Sequence, residues 1–172
     1  MAAPGYARGF DLTLHADHLG QPLERKNPTV SFVGSMADRL HADAPDGLID
    51  RVLAVARQPP RHTDLLLTQR AERLVDFCAA RPVPANVWLG VTVEDRRDGL
   101  PRLAHLRRVP ARVRFLAVEP LLEDLGPLDL HGINGVIGGG ESSPDARPMH
   151  EAWALSVRDR CLATGVAFLF KP

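Results

Sequence analysis

Apolar residues gather in six short runs that scarcely alternate with polar ones: residues 29–36 (TVSFVGSM), 64–70 (DLLLTQR), 87–95 (VWLGVTVED), 113–120 (VRFLAVEP), 132–142 (GINGVIGGGES) and 166–171 (VAFLFK). Their β-branched and aromatic content suits strands, and near-continuous apolarity suits strands covered on both faces, as in a parallel sheet. A further strand is expected over residues 10–14. Between the runs the apolar spacing becomes helical. Leu48, Ile49, Val52, Leu53 and Ala56 make one stripe, with Pro45 and Asp46 placed to start that helix and Pro59 to stop it. Ala71, Leu74, Val75 and Cys78 make a second stripe, and Trp153, Ala154, Val157, Cys161 and Leu162 a third that Gly165 ends. Residues 100–109 give a weaker fourth.

Strand followed by helix, repeated every ~20 to 35 residues, is the pattern of βαβ crossovers and therefore of an α/β fold with a parallel sheet. The expected architecture is a partial (β/α)6 TIM-like barrel, possessing one domain over residues 1–172, with residues 1–9 irregular and the opening strand of the barrel missing. Residues 82–84 and 122–127 read as short surface connections. A chain of 172 residues buries roughly 70% of its unfolded surface, enough for one core.

Charge narrows the function less than the pattern does. Lys plus Arg and Asp plus Glu both total 21, so no whole-molecule field draws the chain to nucleic acid or to an acidic membrane. Nucleic acid stays open as a partner, a local basic patch being compatible with net neutrality. Cys78 and Cys161 are the two cysteines and both fall in expected helices, where buried free thiols are the default. They have no metal spacing, so alone they build neither a zinc site nor a cluster. Residues 1–8 lack the apolar run of a signal peptide, and no run approaches the ~20 apolar residues needed to span a bilayer. A cytoplasmic location is expected.

In parallel α/β folds the carboxyl ends of the strands and the amino ends of the helices share one rim, where ligands bind. Following each run to its end collects Ser35, Met36 and Asp38, then Thr68, Gln69 and Arg70, then Thr92, Glu94 and Asp95, then Glu119, Gly139, Glu141 and Ser142, and finally Lys171. So many charges at one end of a sheet are costly unless they pair or meet a charged ligand. The plainer alternatives are that Glu94 and Asp95 cap the next helix, that Glu119 pairs with Arg70, and that Asp38 holds a loop. Glycines 138, 139 and 140 form either a plain tight turn or a close backbone approach that aims N–H groups at a phosphate, carboxylate or ribose. Arg147, just beyond, is placed to grip an anion with both guanidinium nitrogens.

Taken in order, FVGSMAD, LLTQRAERL, VWLGVTVED, VRFLAVEPLL, GVIGGGESSPDARPMH and VAFLFK resemble an uncharacterised bacterial and phage protein family that is distantly similar to radical S-adenosylmethionine enzymes. The resemblance runs over residues 9–171. It implies a partial TIM-type barrel whose rim holds S-adenosylmethionine against a [4Fe–4S] cluster, the cluster being ligated by three thiolates of a Cys-x-x-x-Cys-x-x-Cys-like loop. By the same likeness Gly139, Glu141 and Ser142 line the adenosyl site, with Thr68, Arg70, Glu94 and Glu119 on neighbouring strand ends. Family members carry a Cys-rich segment ahead of the region matching residues 10–14, whereas residues 1–9 here read MAAPGYARG. Gln69 stands where the family has Lys, Ala71 where it has Pro, and the family continues past Lys171.

The expectation is therefore a radical-SAM-like protein unable to hold an iron–sulfur cluster by itself, through a shortened product, a mis-called start or descent without the cluster. It would keep an S-adenosylmethionine or nucleotide pocket built from Ser35, Asp38, Thr68, Arg70, Glu94, Glu119, Gly139, Glu141, Ser142, Arg147 and Lys171. A second reading is a Mg²⁺-dependent phosphoesterase using Glu94, Asp95, Glu119 and Glu141. A third is a non-enzymatic remnant or interaction module. No residue is singled out as catalytic. Unpaired sheet edges at residues 29–36 and 166–171 would favour a homodimer.

Overall fold

The computed structural model describes residues 19–33, 38, 40–41, 44–58 and 61–171, with only the backbone of Asp46. The elements run α1 (Gln21–Glu24), β1 (Val30–Phe32), α2 (Asp46–Arg57), β2 (Thr63–Thr68), α3 (Ala71–Ala79), β3 (Val87–Thr92), α4 (Arg102–Arg108), β4 (Arg114–Val118), β5 (Gly135–Gly139), α5 (Glu151–Thr164) and β6 (Ala167–Lys171). Each of the six apolar runs contains one strand. The strands form a single six-stranded sheet in the order β1-β2-β3-β4-β5-β6, and every neighbouring pair is parallel. Strand order never reverses, so there is no switch point of the doubly wound kind. The sheet curls into a half-barrel, the partial TIM-like architecture that the repeat pattern predicts.

Alternation along the strands separates two faces. Leu66, Leu89, Leu116 and Val136 share one core with Ile49 and Leu53 of α2, Leu74, Phe77 and Cys78 of α3, Leu103 and Leu106 of α4, and Val157 and Cys161 of α5. The helices thus cover the convex side. Leu65, Phe115 and Ala117 take the intervening positions and point into the concavity. Phe32 on β1 meets Phe115 on β4 edge-on, with ring centroids 6.3 Å apart. Three strand spacings in a flat sheet would separate those positions by about 14 Å, so the contact is a direct consequence of the curl. Gly90 makes room for it: a Cβ there would lie 2.5 Å from the Phe115 ring.

Helix boundaries follow local chemistry. Pro45 precedes the first residue of α2 in extended conformation, and α2 ends at Arg57 with Gln58 as its cap. Gly165 ends α5 with φ of 69°, the left-handed value that glycine adopts without strain. The connection over residues 119–134, every residue of which is described, corrects the expectation of a plain surface loop at 122–127. It crosses from β4 to β5 without a helix and buries Leu121, Leu125, Leu128, Leu130 and Ile133 instead. The crossover layer is thereby filled by leucines from an irregular segment. The strand expected over residues 10–14, the helix stop Pro59 and the rim residues Ser35 and Met36 lie outside the described residues. No described helix is long and apolar enough to cross a membrane.

Candidate functional site at the carboxyl pole

Parallel strands bring their carboxyl ends to one pole, and the charged residues collected from the sequence stand there in three networks. The first lies where β2 ends on the convex side. Asp38 accepts from Thr68 Oγ1 at 2.8 and 2.9 Å, from the backbone N–H of Leu40 at 2.9 Å, and from Arg70 Nη1 at 2.7 Å. Asp38 therefore fixes the segment before α2 onto the end of β2. Arg70 is thus the partner of Asp38, which corrects the alternative that paired it with Glu119.

The second network faces the concavity. Glu94 accepts from Gln69 Nε2 and from Arg102 Nη1, each at 2.7 Å, and the same Arg102 nitrogen donates to the carbonyl of Thr92 at 2.6 Å. The Glu94 and Arg102 side chains are only 14% and 18% exposed, so each needs the other. Glu119 is paired with Lys171, Nζ to Oε2 at 3.3 Å. Register explains the geometry. Val118 is level with Gly138 and Gly139 with Lys171, so Glu119, Gly139 and Lys171 form one row; Thr92 level with Ala117 carries the row on to Glu94. Gln69 ties the networks together, because its backbone N–H also donates to Asp38 at 3.3 Å.

The third network is the loop after β5. Arg147 donates through Nε at 2.9 Å and Nη2 at 3.0 Å to the Glu141 carboxylate, and its backbone N–H adds a bond at 2.9 Å. These guanidinium and backbone donors pull the Glu141 pKa down to about 2. The bidentate grip expected of Arg147 exists, with a protein carboxylate as its anion. Ser142 is exposed beside it. Asp95 belongs to none of the networks. Its carboxylate accepts from the N–H groups of Asp98 and Gly99, which holds its pKa below the usual value and fixes the turn before α4. The alternative that Glu94 and Asp95 cap the next helix is corrected, because Pro101 stands at the α4 N-cap and no side chain caps it.

The glycine run also differs from expectation. Gly138 and Gly139 lie inside β5, paired on the sheet, and no residue from 138 to 140 has positive φ. Gly138 and Gly139 are ladder residues and form no tight turn. Close packing explains it: a Cβ on Gly138 would come within 3.1 Å of the Phe168 ring, and one on Gly139 within 2.5 Å of the Lys171 carbonyl. Sequence reasoning missed Arg102, whose only signal was a cation opening the helix that follows Glu94. It also missed a buried pair at the opposite pole, His62 and Asp64.

Residues 2–172 match DUF5131, described as a protein of unknown function. The chain belongs to this family. No curated protein and no solved structure matches the chain. Cys78 and Cys161, the sole cysteines of the 172 residues, are buried in α3 and α5, and burial pushes both thiols up to about 11. Among the described residues no three His, Cys, Asp or Glu side chains group closely enough to hold a metal ion. A cavity of about 680 Å³ opens at the amino pole between residues 127–134 and the α5–β6 turn. Of its polar lining, Asp129 is engaged by Arg107, Asn134 by the backbone of Arg114 and Thr164 by the backbone of Arg160.

Proposed function

We propose that this protein binds a small adenosyl ligand, S-adenosylmethionine or a nucleotide, at the carboxyl-pole rim of its half-barrel, without an iron–sulfur cluster of its own. One observation carries the reading: four successive strand ends contribute Glu94, Glu119, Gly139 and Lys171 to a single row facing the concavity. Below the row lies an apolar floor of Phe32 and Phe115. A concave site with a hydrophobic base and a few convergent polar groups is the usual form of a small-ligand site. Glu94 and Glu119 would meet donors such as ribose hydroxyls or an ammonium, Lys171 would meet a carboxylate or phosphate, and the aromatic floor would take a base. S-adenosylmethionine, when bound, supplies a carbon activated by its sulfonium. Arg70 and Asp38 act at one remove in this reading, by fixing the segment that precedes α2.

Titration calorimetry with S-adenosylmethionine, S-adenosylhomocysteine and Mg²⁺ separately tests the proposal. Saturable heat is expected from the adenosyl compounds. Heat from neither would discard the reading, and Mg²⁺ binding that Glu119→Gln abolishes would transfer the site to metal-dependent phosphoester chemistry.

Self-association is the second part of the proposal. Among the described residues β1 and β6 each pair on one side only, and Val30, Phe32, Leu169 and Phe170 are exposed there. Exposed strand edges of this composition invite pairing. Sedimentation should detect a dimer that Leu169→Lys dissolves; a monomer at all concentrations would count against it.

A further inference from the structure

We infer that the Glu119–Lys171 ion pair is the receptor for a zwitterionic α-amino acid group, the amino-acid end of the rim ligand, which enters by opening that pair; the inference rests on the rim being a ligand site. The pair spans two strand spacings, from β4 across β5 to β6. Adjacent strands are about 4.8 Å apart, and side chains from β4 and β6 close to 3.3 Å across β5, where the register places Gly139, which carries no side chain. The pair therefore lies across the strand between them, at the level of Gly139.

Its two members are unequal. Glu119 is 18% exposed and fixed in the row, whereas Lys171 is 61% exposed at the end of β6. A lysine with four rotatable methylenes and a solvated ammonium swings away readily, and an ion pair with one partner so exposed contributes little to folding. Opening it costs the fold little. Glu94, next in the row, is held by Arg102 and Gln69 through both of its oxygens. The row thus has one exchangeable carboxylate and one exchangeable cation.

Charge balance selects the ligand group. A carboxylate taking Lys171 and an ammonium taking Glu119 replace the internal pair one for one, and the row stays neutral. A phosphate dianion would find one exchangeable cation beside two carboxylates, and the like charges would oppose it. Within the proposed ligand class this favours S-adenosylmethionine over a nucleotide.

The experiment compares S-adenosylmethionine with 5′-methylthioadenosine, which keeps the adenosyl part, lacks the amino-acid end and carries a neutral thioether in place of the sulfonium, so that the Lys171 variant isolates the amino-acid contribution. In calorimetry the unaltered chain should bind S-adenosylmethionine about tenfold tighter or more, the scale of one charge-assisted contact. Lys171→Met and Glu119→Gln should bring S-adenosylmethionine down to the level of methylthioadenosine and leave methylthioadenosine unchanged. Equal binding of the two compounds by the unaltered chain, or a preference that Lys171→Met leaves intact, overturns the inference while the adenosyl site stands. Heat from neither compound removes both. The exposed position of Lys171 keeps its variant folded, checked by thermal unfolding; should Glu119→Gln fail to fold, Lys171→Met decides alone.

Discussion

The two poles of the sheet treat buried charge in opposite ways. At the carboxyl pole every carboxylate of the row has a cation within reach: Glu94 has Arg102, Glu119 has Lys171, and Asp38 beside them has Arg70. At the amino pole His62 and Asp64 are 2% and 4% exposed, and both His62 nitrogens and Asp64 Oδ1 are without a hydrogen-bond partner among the described residues. Burial raises the Asp64 pKa, a shift that the nearby His62 partly opposes. Compensated charge at a strand end is held at little cost, whereas uncompensated buried charge is a burden on stability. The comparison teaches that charge at a strand end is sustained when a counter-charge reaches it from another element, a helix for Glu94 and a strand for Glu119.

Substitutions at the two poles should break or sharpen this contrast. The largest effect is expected from Gly139→Ala, because the added Cβ meets a backbone oxygen of β6 that cannot yield without separating the strands. Urea unfolding should show a loss of about 3 kcal/mol, and an unchanged midpoint would refute the close-packing account of the row. Arg102→Ala comes next. It strands Glu94 and frees the Thr92 carbonyl, with an expected loss of about 2 kcal/mol in the same measurement; the loss should shrink when Glu94→Gln is added.

At the amino pole the sign reverses. Asp64 has a folded pKa above its unfolded value, so its favourable contribution is complete below about 3.8 and is lost as pH rises through the raised value. Asp64→Asn should therefore stabilise the protein at pH 7 by about 1 kcal/mol, a gain that vanishes below the unfolded pKa. Destabilisation at pH 7 would show that the carboxylate is useful where it lies. The smallest effect belongs to Glu141. Its pKa is depressed to about 2, so what it adds is present above about 4.5 and lost as pH falls through about 2. Glu141→Gln and the unaltered chain should respond to protease at the 140–150 loop differently at pH 7 and alike at pH 2, with global unfolding little changed.

Strands β2 to β5 were legible because burial on both faces keeps them nearly uninterrupted in apolar residues. Strands β1 and β6 were legible by apolar composition alone, since their side chains are largely exposed, which corrects the expectation that every strand is covered on both faces. Helices α2, α3 and α5 were legible because their stripes repeat at helical spacing. The four residues of α1 are too few to show a period, and the leucines at 121, 125, 128 and 130 have no period that a helix or strand would give. The rim could be collected from strand ends, but its pairing could not. Which cation meets Glu119 depends on a register that sets Gly139 between β4 and β6, and the choice of Lys171 over Arg70 follows from that alone. The glycine run misled for a related reason: glycine serves close strand packing as readily as a turn, and only the neighbouring Phe168 and Lys171 decide between them.

The Phe115 ring occupying the side-chain space of Gly90 has a further consequence. These two positions share one volume, so neither is free to vary alone. A methyl at 90 should be tolerated only when the ring at 115 shrinks, and relatives that differ at one should differ at the other. Because that ring also touches Phe32 on the far side of the concavity, a swap of volume between neighbours would reset the bend of the entire wall.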